Sequence, residues 1–409
     1  MPCSMPQLLT DSRSLKMNPE ICNDEKLIGL ARLMKMAFDG IDLAPIGDAL
    51  IARVEKNPLD AEALMDLSTV LQLKFMPEVA LDVQSQALDI KTIYHLPASG
   101  EEKIRLLAIM APGNLMTNAP LEFLVEGSDI SLYMLYVAPD LQLPPALPEH
   151  DLLFVAVGES DRSRPVLEEL GLAVKTWPRP VLNLPDNILA TSREAAPIRL
   201  ASLAGVDMPL SVRVERAALE AIGQFPVIAR PVDSHAGQGL ARIDSPEDIR
   251  AYLSARQEQE FFVAKFVDYR SRDGLYRKYR IALIDGKPYA CHMGISEHWM
   301  IHYANAGMDE SAEKREEEAH FMAGFDGDFA RRHYDALSGI NERMGLDYLV
   351  IDCAETQDGR LLIFEVDIGA VIHAMDPVDV FPYKVPQMRQ VFSAFRNMLA
   401  RAAHEYESA

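Results

Sequence analysis

A chain of 409 residues carries 61 Asp and Glu against 40 Lys and Arg, a formal net charge of −21. That balance argues against a general binder of nucleic acid or anionic membrane, which needs clustered Lys and Arg, and leaves room for a local basic pocket around a small phosphorylated ligand. With 49% hydrophobic and 25% charged residues, the composition is that of a globular protein of two or three domains. The cysteines Cys3, Cys22, Cys291 and Cys353 show no paired spacing, so neither a disulfide framework nor a zinc ribbon is expected. The N-terminus lacks the basic-then-apolar order of a signal peptide, and no apolar run spans a bilayer. A reduced cytoplasm is the expected location.

In chain order, residues 1–23 are polar and read as a flexible tail. From 24 to 97 the periodicity is helical, broken at Asp39-Gly40, Asn57-Pro58 and Met76-Pro77. Ala61, Leu64, Leu67, Leu71, Ala80, Ala87 and Leu88 recur at helical spacing. This resembles a tetratricopeptide-type helix pair, with Ala80 and Ala87 at the close contacts; a plain helical subdomain capped by Asp60 reads the same residues. One repeat cannot bury its own face, so the segment should pack on flanking helices or on a protein partner. From 101 to 205, the apolar runs IRLLAIMAP, SLYMLYV and DLLFVAVG suit a parallel sheet. SRPVLEELG and SREAAPIRLASLAG read as helices, the second capped by Thr191 or Ser192 and stopped by Gly205. Residues 206–402 mix strands and helices as an α+β unit.

Four stretches of that unit bear chemistry. In FPVIARPVDSHAGQGLARI a strand ends in Arg230, and a loop with Gly237 and Gly239 follows, so backbone N–H groups and a fixed charge could meet a phosphate. RKYRIALIDGKPYACHM reads as a hairpin turned at Asp285-Gly286, with Lys278 and Arg280 on one face. YLVIDCAETQDGRLLIFEVDIG reads as a second hairpin, with a two-residue type I′ turn at Asp358-Gly359. Pairing outward from Gln357 and Arg360 sets Asp352 opposite Glu365, and Asp367 falls on the same face. Three carboxylates then converge, which calls for a cation, while Ile351, Cys353, Phe364 and Val366 turn to a core. HMGISEHWMIHYANAGM concentrates His292, His298, Trp299, His302 and Tyr303. The following EKREEE run reads as a solvated helix face.

The order of these parts resembles the ATP-grasp superfamily, closest to its glutathione-synthetase and ribosomal-protein glutamate ligase branch, over about 101–395. The resemblance implies an α/β and α+β ATP-grasp fold, here preceded by a small α-helical domain. It implies an ATP- and Mg²⁺-dependent carboxylate–amine ligase, Mn²⁺ being able to stand in, that works through an acyl phosphate. The metal ligands so implied are Asp352, Glu365 and Asp367. Arg280 and Arg230 would stabilise the transferring phosphoryl group. The 233–239 loop, with Ser234, His235, Gly237 and Gly239, would cover the phosphates, and the backbone of Phe262, Val263, Ala264 and Lys265 would hold adenine. Lys278 stands where relatives often have a ribose-binding acid, for which Asp268 or Asp273 could substitute. Arg230 stands where relatives usually have a phosphate-binding Lys, and Arg193 is nearest to the place of a Lys that relatives carry in the helix near Thr191. His292, Ser296, His298, Trp299, His302 and Tyr303 would line the acceptor pocket, a metal site and a packed aromatic loop being the other readings of that stretch. Small-molecule or peptide carboxylate and amine substrates, and a homo-oligomer, are expected. The alternatives are a small-molecule kinase that stops at phosphorylation and a helical-repeat scaffold with a vestigial ATP site.

Overall fold

Breaks at Asp39-Gly40, Asn57-Pro58 and Met76-Pro77 cut the N-terminal segment into four helices: α1 (Leu30–Phe38), α2 (Ala44–Lys56), α3 (Ala61–Leu73) and α4 (Pro77–Ile90). They belong to a computed structural model that describes residues 26–232, 234, 237–302 and 305–407. The stretch 1–23, read as a tail, lies outside the described residues. Asp60 caps α3 by accepting from the Ala63 N–H at 2.9 Å, and it also pairs with Arg53. Small side chains let α3 and α4 approach: Ala80 and Ala87 are fully buried, and the Ser68 hydroxyl donates to the Ala80 carbonyl at 2.7 Å.

The helical reading overruns at its end. Ile93–Leu96 is a strand, β1, with Tyr94 turned into the core and His95 out to solvent. It forms the antiparallel edge of a sheet whose other members are β2 (Ile104–Met110), β3 (Ile130–Tyr136), β4 (Leu152–Val155) and β5 (Val181–Leu182), in the order β1-β3-β2-β4-β5. β2 through β5 are parallel, as their continuous apolar runs imply. Leu64, Met65, Ala87 and Leu88 share one core with Leu106, Leu132 and Phe154 of this sheet. Gln84 and Gly113 exchange two hydrogen bonds across the junction, at 3.1 and 2.8 Å. The helices therefore bury their face on the sheet. The helix read from Ser192 to Gly205 is realised only over Ala195–Arg199, because the Ala201 N–H turns back to Ile198 and Ser202 adopts a φ of +61°.

The α+β unit holds two further sheets. β6 (Val206–Asp207) crosses to the second of them. The first is antiparallel, order β7-β10-β8-β9, from β7 (Ser211–Glu215), β8 (Val227–Pro231), β9 (Ala241–Ile243) and β10 (Glu260–Lys265). The second runs β12-β11-β13-β14-β6, from β11 (Tyr276–Ile284), β12 (Lys287–Ser296), β13 (Tyr348–Glu355) and β14 (Leu361–Asp367). Between them lies a cavity of about 620 Å³. A small helical segment, an α/β domain and an α+β clasp of two sheets make the fold class expected. No helix of the described residues is long and apolar enough to cross a membrane.

The two Asp-Gly turns differ. Asp285 and Gly286 both have positive φ, 53° and 77°, and join Ile284 to its partner Lys287 as a two-residue turn. At Asp358-Gly359 only the glycine is left-handed, with a φ of 81°. There the Thr356 hydroxyl accepts from the Arg360 N–H at 2.9 Å, and the Gly359 N–H donates to the Thr356 carbonyl at 2.9 Å. The loop has three residues, so the type I′ expectation fails. The ladder starts one residue out of the expected register, with Glu355 opposite Leu361. A bulge at Phe364 then restores it, and Asp352 does face Glu365.

Candidate functional site

The cavity's first end is built on adjacent strands. β11 and β13 set Arg280 directly opposite Asp352, and Lys278 shares the face of Arg280 because it lies two residues earlier. Arg280 forks onto Asp352 with Nε to Oδ1 at 2.8 Å and a terminal nitrogen to Oδ2 at 3.0 Å. Lys278 Nζ reaches the same Oδ2 at 2.7 Å. Arg280 also donates to the Val371 carbonyl at 3.0 Å. Across β13, Glu365 receives Arg193 at 2.5 Å. Arg230, at the end of β8, closes the opposite wall; it donates from Nε to the Ser234 hydroxyl at 2.9 Å and from a terminal nitrogen to the Ser234 carbonyl.

Each charge is tuned by this crowding. Burial would raise Asp352, but Arg280 and Lys278 outweigh it and hold the carboxyl well below the usual range. Burial likewise opposes Glu365, and Arg193 brings it down. Among the described residues Asp367 forms no ion pair, and the charge of Arg193 lowers it less than burial and Glu365 raise it. Burial first, then the neighbouring Glu365, pushes it up to about 6. Burial and nearby Arg193 lower Arg230 to about 10. Four cations thus stand among three carboxylates at one end of the cavity.

The expected metal trio needs correction. Among the described residues no group of three His, Cys, Asp or Glu side chains could hold a metal ion. Both Asp352 oxygens are occupied by Arg280 and Lys278, because the cross-strand register delivers two cations to one carboxylate. Glu365 and Asp367, two residues apart on one strand face, remain as donors. Mg²⁺ fits such a pair, since one or two carboxylates with phosphate oxygens and water complete its octahedron. A cation held by this pair would relieve the like-charge strain on Asp367.

The other expected residues divide. Gly237 and Gly239 have positive φ, 69° and 72°, and a Cβ on Gly237 would meet the His302 ring at 2.0 Å, so the glycine loop lies directly on His302. His302 and Trp299 line the cavity, Trp299 edge-on to Phe266. His292 lines it too, while Ser296 is buried away from it and His298 is exposed. His235 and Tyr303 lie outside the described residues. β10 is an interior strand with ladders to β7 and β8, so the backbone of Phe262, Val263 and Ala264 is already hydrogen-bonded, and the Val263 side chain sits in the small core under the sheet. Lys265 lines the cavity at the strand's end. Asp268 and Asp273 do not line it: Asp268 accepts from the Arg270 N–H, and Asp273 pairs with Arg277. Phe364, assigned to the core, is carried by its bulge to the cavity wall against Tyr269.

The far end was missed. Glu318, inside the run read as solvated, is 0% exposed. It accepts from His292 Nδ1 at 2.8 Å, the Met293 N–H at 3.0 Å and the Tyr383 hydroxyl at 2.6 Å, and lies 3.5 Å from Lys384. These partners outweigh its burial and hold it down to about 2. The signal was available: Phe321, Met322 and Phe325 follow Glu318 at helical spacings of three, four and seven, which puts the acid on the apolar seam. His373, Asp376 and Lys384 complete this end, together with Met34 and Phe38 from α1.

No family model matches the chain, and no curated protein sequence matches it. Among solved structures, the D-alanine–D-alanine ligase from Bacillus anthracis superposes with a TM-score of 0.44 at 11% identity, over 74% of this chain and 98% of that one. VanG D-Ala:D-Ser ligase from Enterococcus faecalis gives 0.44 at 13%, over 73% and 100%. A RimK domain ATP-grasp protein from Sphaerobacter thermophilus gives 0.38 at 18%, over 73% and 99%. At these TM-scores the likenesses add nothing to what strand order, register and side-chain placement establish.

Proposed function

We propose that the chain is an ATP- and Mg²⁺-dependent carboxylate–amine ligase that forms an acyl phosphate and releases ADP and phosphate. The observation that carries this reading is the cation-rich end of the cavity, where Arg193, Arg230, Lys278 and Arg280 converge between two sheets. A polyphosphate suits that end, and a glycine-bearing loop lies beside it. Glu365 and Asp367 would hold the metal. Bound there, Mg²⁺ supplies charge neutralisation on the phosphates.

Asp352 acts as a positioning residue. It fixes Arg280 by both oxygens, yet Arg280 keeps one N–H on each terminal nitrogen for a phosphoryl or carboxylate oxygen. Arg280 would then meet the charge that develops as the substrate carboxylate attacks the γ-phosphorus and ADP leaves. Arg230, tied to Ser234, sets the start of the loop against the phosphates. Adenine would be read beyond β10, at Val267 on the cavity wall, one residue past Phe266, whose N–H still donates to the Pro226 carbonyl at 3.1 Å. Trp299 and the Gly237–His302 contact would exclude water from the acyl phosphate, which hydrolyses readily. The test supplies Mg-ATP, candidate acids and hydroxylamine: hydroxamate with ADP supports the ligase, whereas a stable phosphorylated alcohol without hydroxamate assigns the site to a kinase.

A further inference from the structure

The far end of the cavity has a composition of its own. Lys384, with only 4% of its side chain exposed, lies between two carboxylates, 3.5 Å from Glu318 and 3.4 Å from Asp376, and 4.5 Å from the centre of the Phe381 ring. Glu318 is saturated by its other donors. Asp376 is not. Its side chain is 8% exposed, its Oδ2 faces Lys384, and its Oδ1 has no hydrogen-bond partner among the described residues. A buried carboxylate oxygen without a donor is costly; the oxygen is sealed as it stands, and because Asp376 lines the cavity a turn of its carboxyl about χ2 presents it to an arriving donor. Burial lowers both His292 and His373, while Glu318 and Asp376 both face the one Lys384.

The remaining wall is apolar. Met34 and Phe38 come from α1, and Met375 and Met388 from the C-terminal region. Phe38 is 41% exposed, and its ring lies 5.7 Å from that of His373. α1 is held in place by bonds that no solvated helix would need. Asp66 accepts from the Ile28 and Gly29 N–H groups at 2.7 and 3.0 Å, and Glu122 accepts from Ala31 at 3.0 Å. Ala31, Phe123 and Met375 form a small buried cluster beneath it. An unmet acceptor beside an aromatic and thioether wall matches a ligand with a donor head and an apolar body. A metal ion is the poorer match, because no group of three metal-binding side chains occurs among the described residues.

We infer that this end is the acceptor pocket for a primary ammonium carrying an apolar substituent, that Asp376 Oδ1 receives the ammonium, and that α1 supplies the wall that selects the substituent. Naming the ligand an acceptor rests on the ligase reading; the pocket's chemistry does not. The pocket also gives the N-terminal helices a role in the enzyme that needs no protein partner.

The test is calorimetric titration of the full chain with hexylamine, hexanoate and methylamine, each with and without Mg²⁺ and a non-hydrolysable ATP analogue. Hexylamine should bind saturably, and at least tenfold more tightly than hexanoate. Asp376→Asn should lose at least tenfold in hexylamine affinity while still binding the nucleotide analogue, which shows that the variant is folded. Phe38→Ala should weaken hexylamine several-fold and leave methylamine unchanged. Hexylamine binding that is absent in both states, or unaltered in Asp376→Asn, overturns the pocket. Binding through Asp376 without any ATP turnover would leave the pocket standing and remove the ligase reading. ATP-dependent hydroxamate formation with Asp376-insensitive amine binding would do the reverse.

Discussion

At one end of the cavity Asp352 is gripped by Arg280 and Lys278, and Glu365 by Arg193, so cations outnumber acids. At the other, Glu318 and Asp376 share Lys384, and one carboxylate oxygen has no donor among the described residues. The same residue types are used at both ends in opposite proportion. The difference teaches how a single cavity can receive an anion and a cation without confusing them: each end is left with the sign of charge its ligand would cancel. It also separates two kinds of buried acid, one whose partners are in the fold and one whose partner must come from outside.

The comparison breaks most completely if α1–α4 and β1 are removed. A chain beginning at residue 97 loses β1 from the first sheet and bares the Leu106–Leu132 face that Leu64, Met65 and Leu88 cover. It should give no soluble, nucleotide-binding protein; a soluble fragment that binds Mg-ATP in a calorimeter would make the helices an independent module. Next in size, Arg280→Ala should lower ADP release by about a hundred- to a thousandfold, the scale for one lost charge-stabilising donor. A change within threefold would remove Arg280 from the chemistry.

Asparagine at the two buried acids sharpens the comparison. Asp352→Asn strands two cations and should cost about 3 kcal/mol in urea unfolding. Asp376→Asn removes an acceptor that had no donor, and Lys384 keeps Glu318, so it should change stability by less than about 1 kcal/mol. Equal losses would erase the distinction.

The smallest effect is in pH. Asp367 has a folded pKa raised to about 6 from an ordinary 3.8. Its contribution is therefore full below that ordinary value and lost as pH rises through about 6. His373 is lowered to about 4 from 6.5, so its contribution is present above 6.5 and lost as pH falls through about 4. Both are partly solvated, and each should be worth on the order of 1 kcal/mol. Asp367→Asn should flatten the fall in Tm between pH 4 and about 6 on the alkaline side, and His373→Gln the fall on the acid side. Slopes unchanged in both variants would contradict these assignments.

Much of the cation-rich end was legible because strand alternation fixes faces: Lys278 with Arg280, and Glu365 with Asp367. The Asp352–Glu365 pairing was legible for an incomplete reason. The Thr356 side chain closes a longer turn than Asp-Gly alone suggests, and a bulge at Phe364 cancels the slip. No local rule couples the two. The far end depended on tertiary folding, since Asp376 and Lys384 become significant only when α1 and the Ala312–Gly324 helix arrive beside them. Glu318 alone carried a readable sign, its place on an apolar helical seam. That Asp352 is consumed by two cations could not be read from the acidic hairpin alone, because both come from a different strand.

The most direct measurement of the central claim is product identity. The 409-residue chain with Mg-ATP, hydroxylamine and a panel of amino acids and dipeptides as acids should yield hydroxamate and ADP for at least one acid, and Arg280→Ala and Glu365→Gln should suppress both products together. AMP with pyrophosphate would contradict the account, because it marks adenylation of the acid and not transfer of the γ-phosphoryl group.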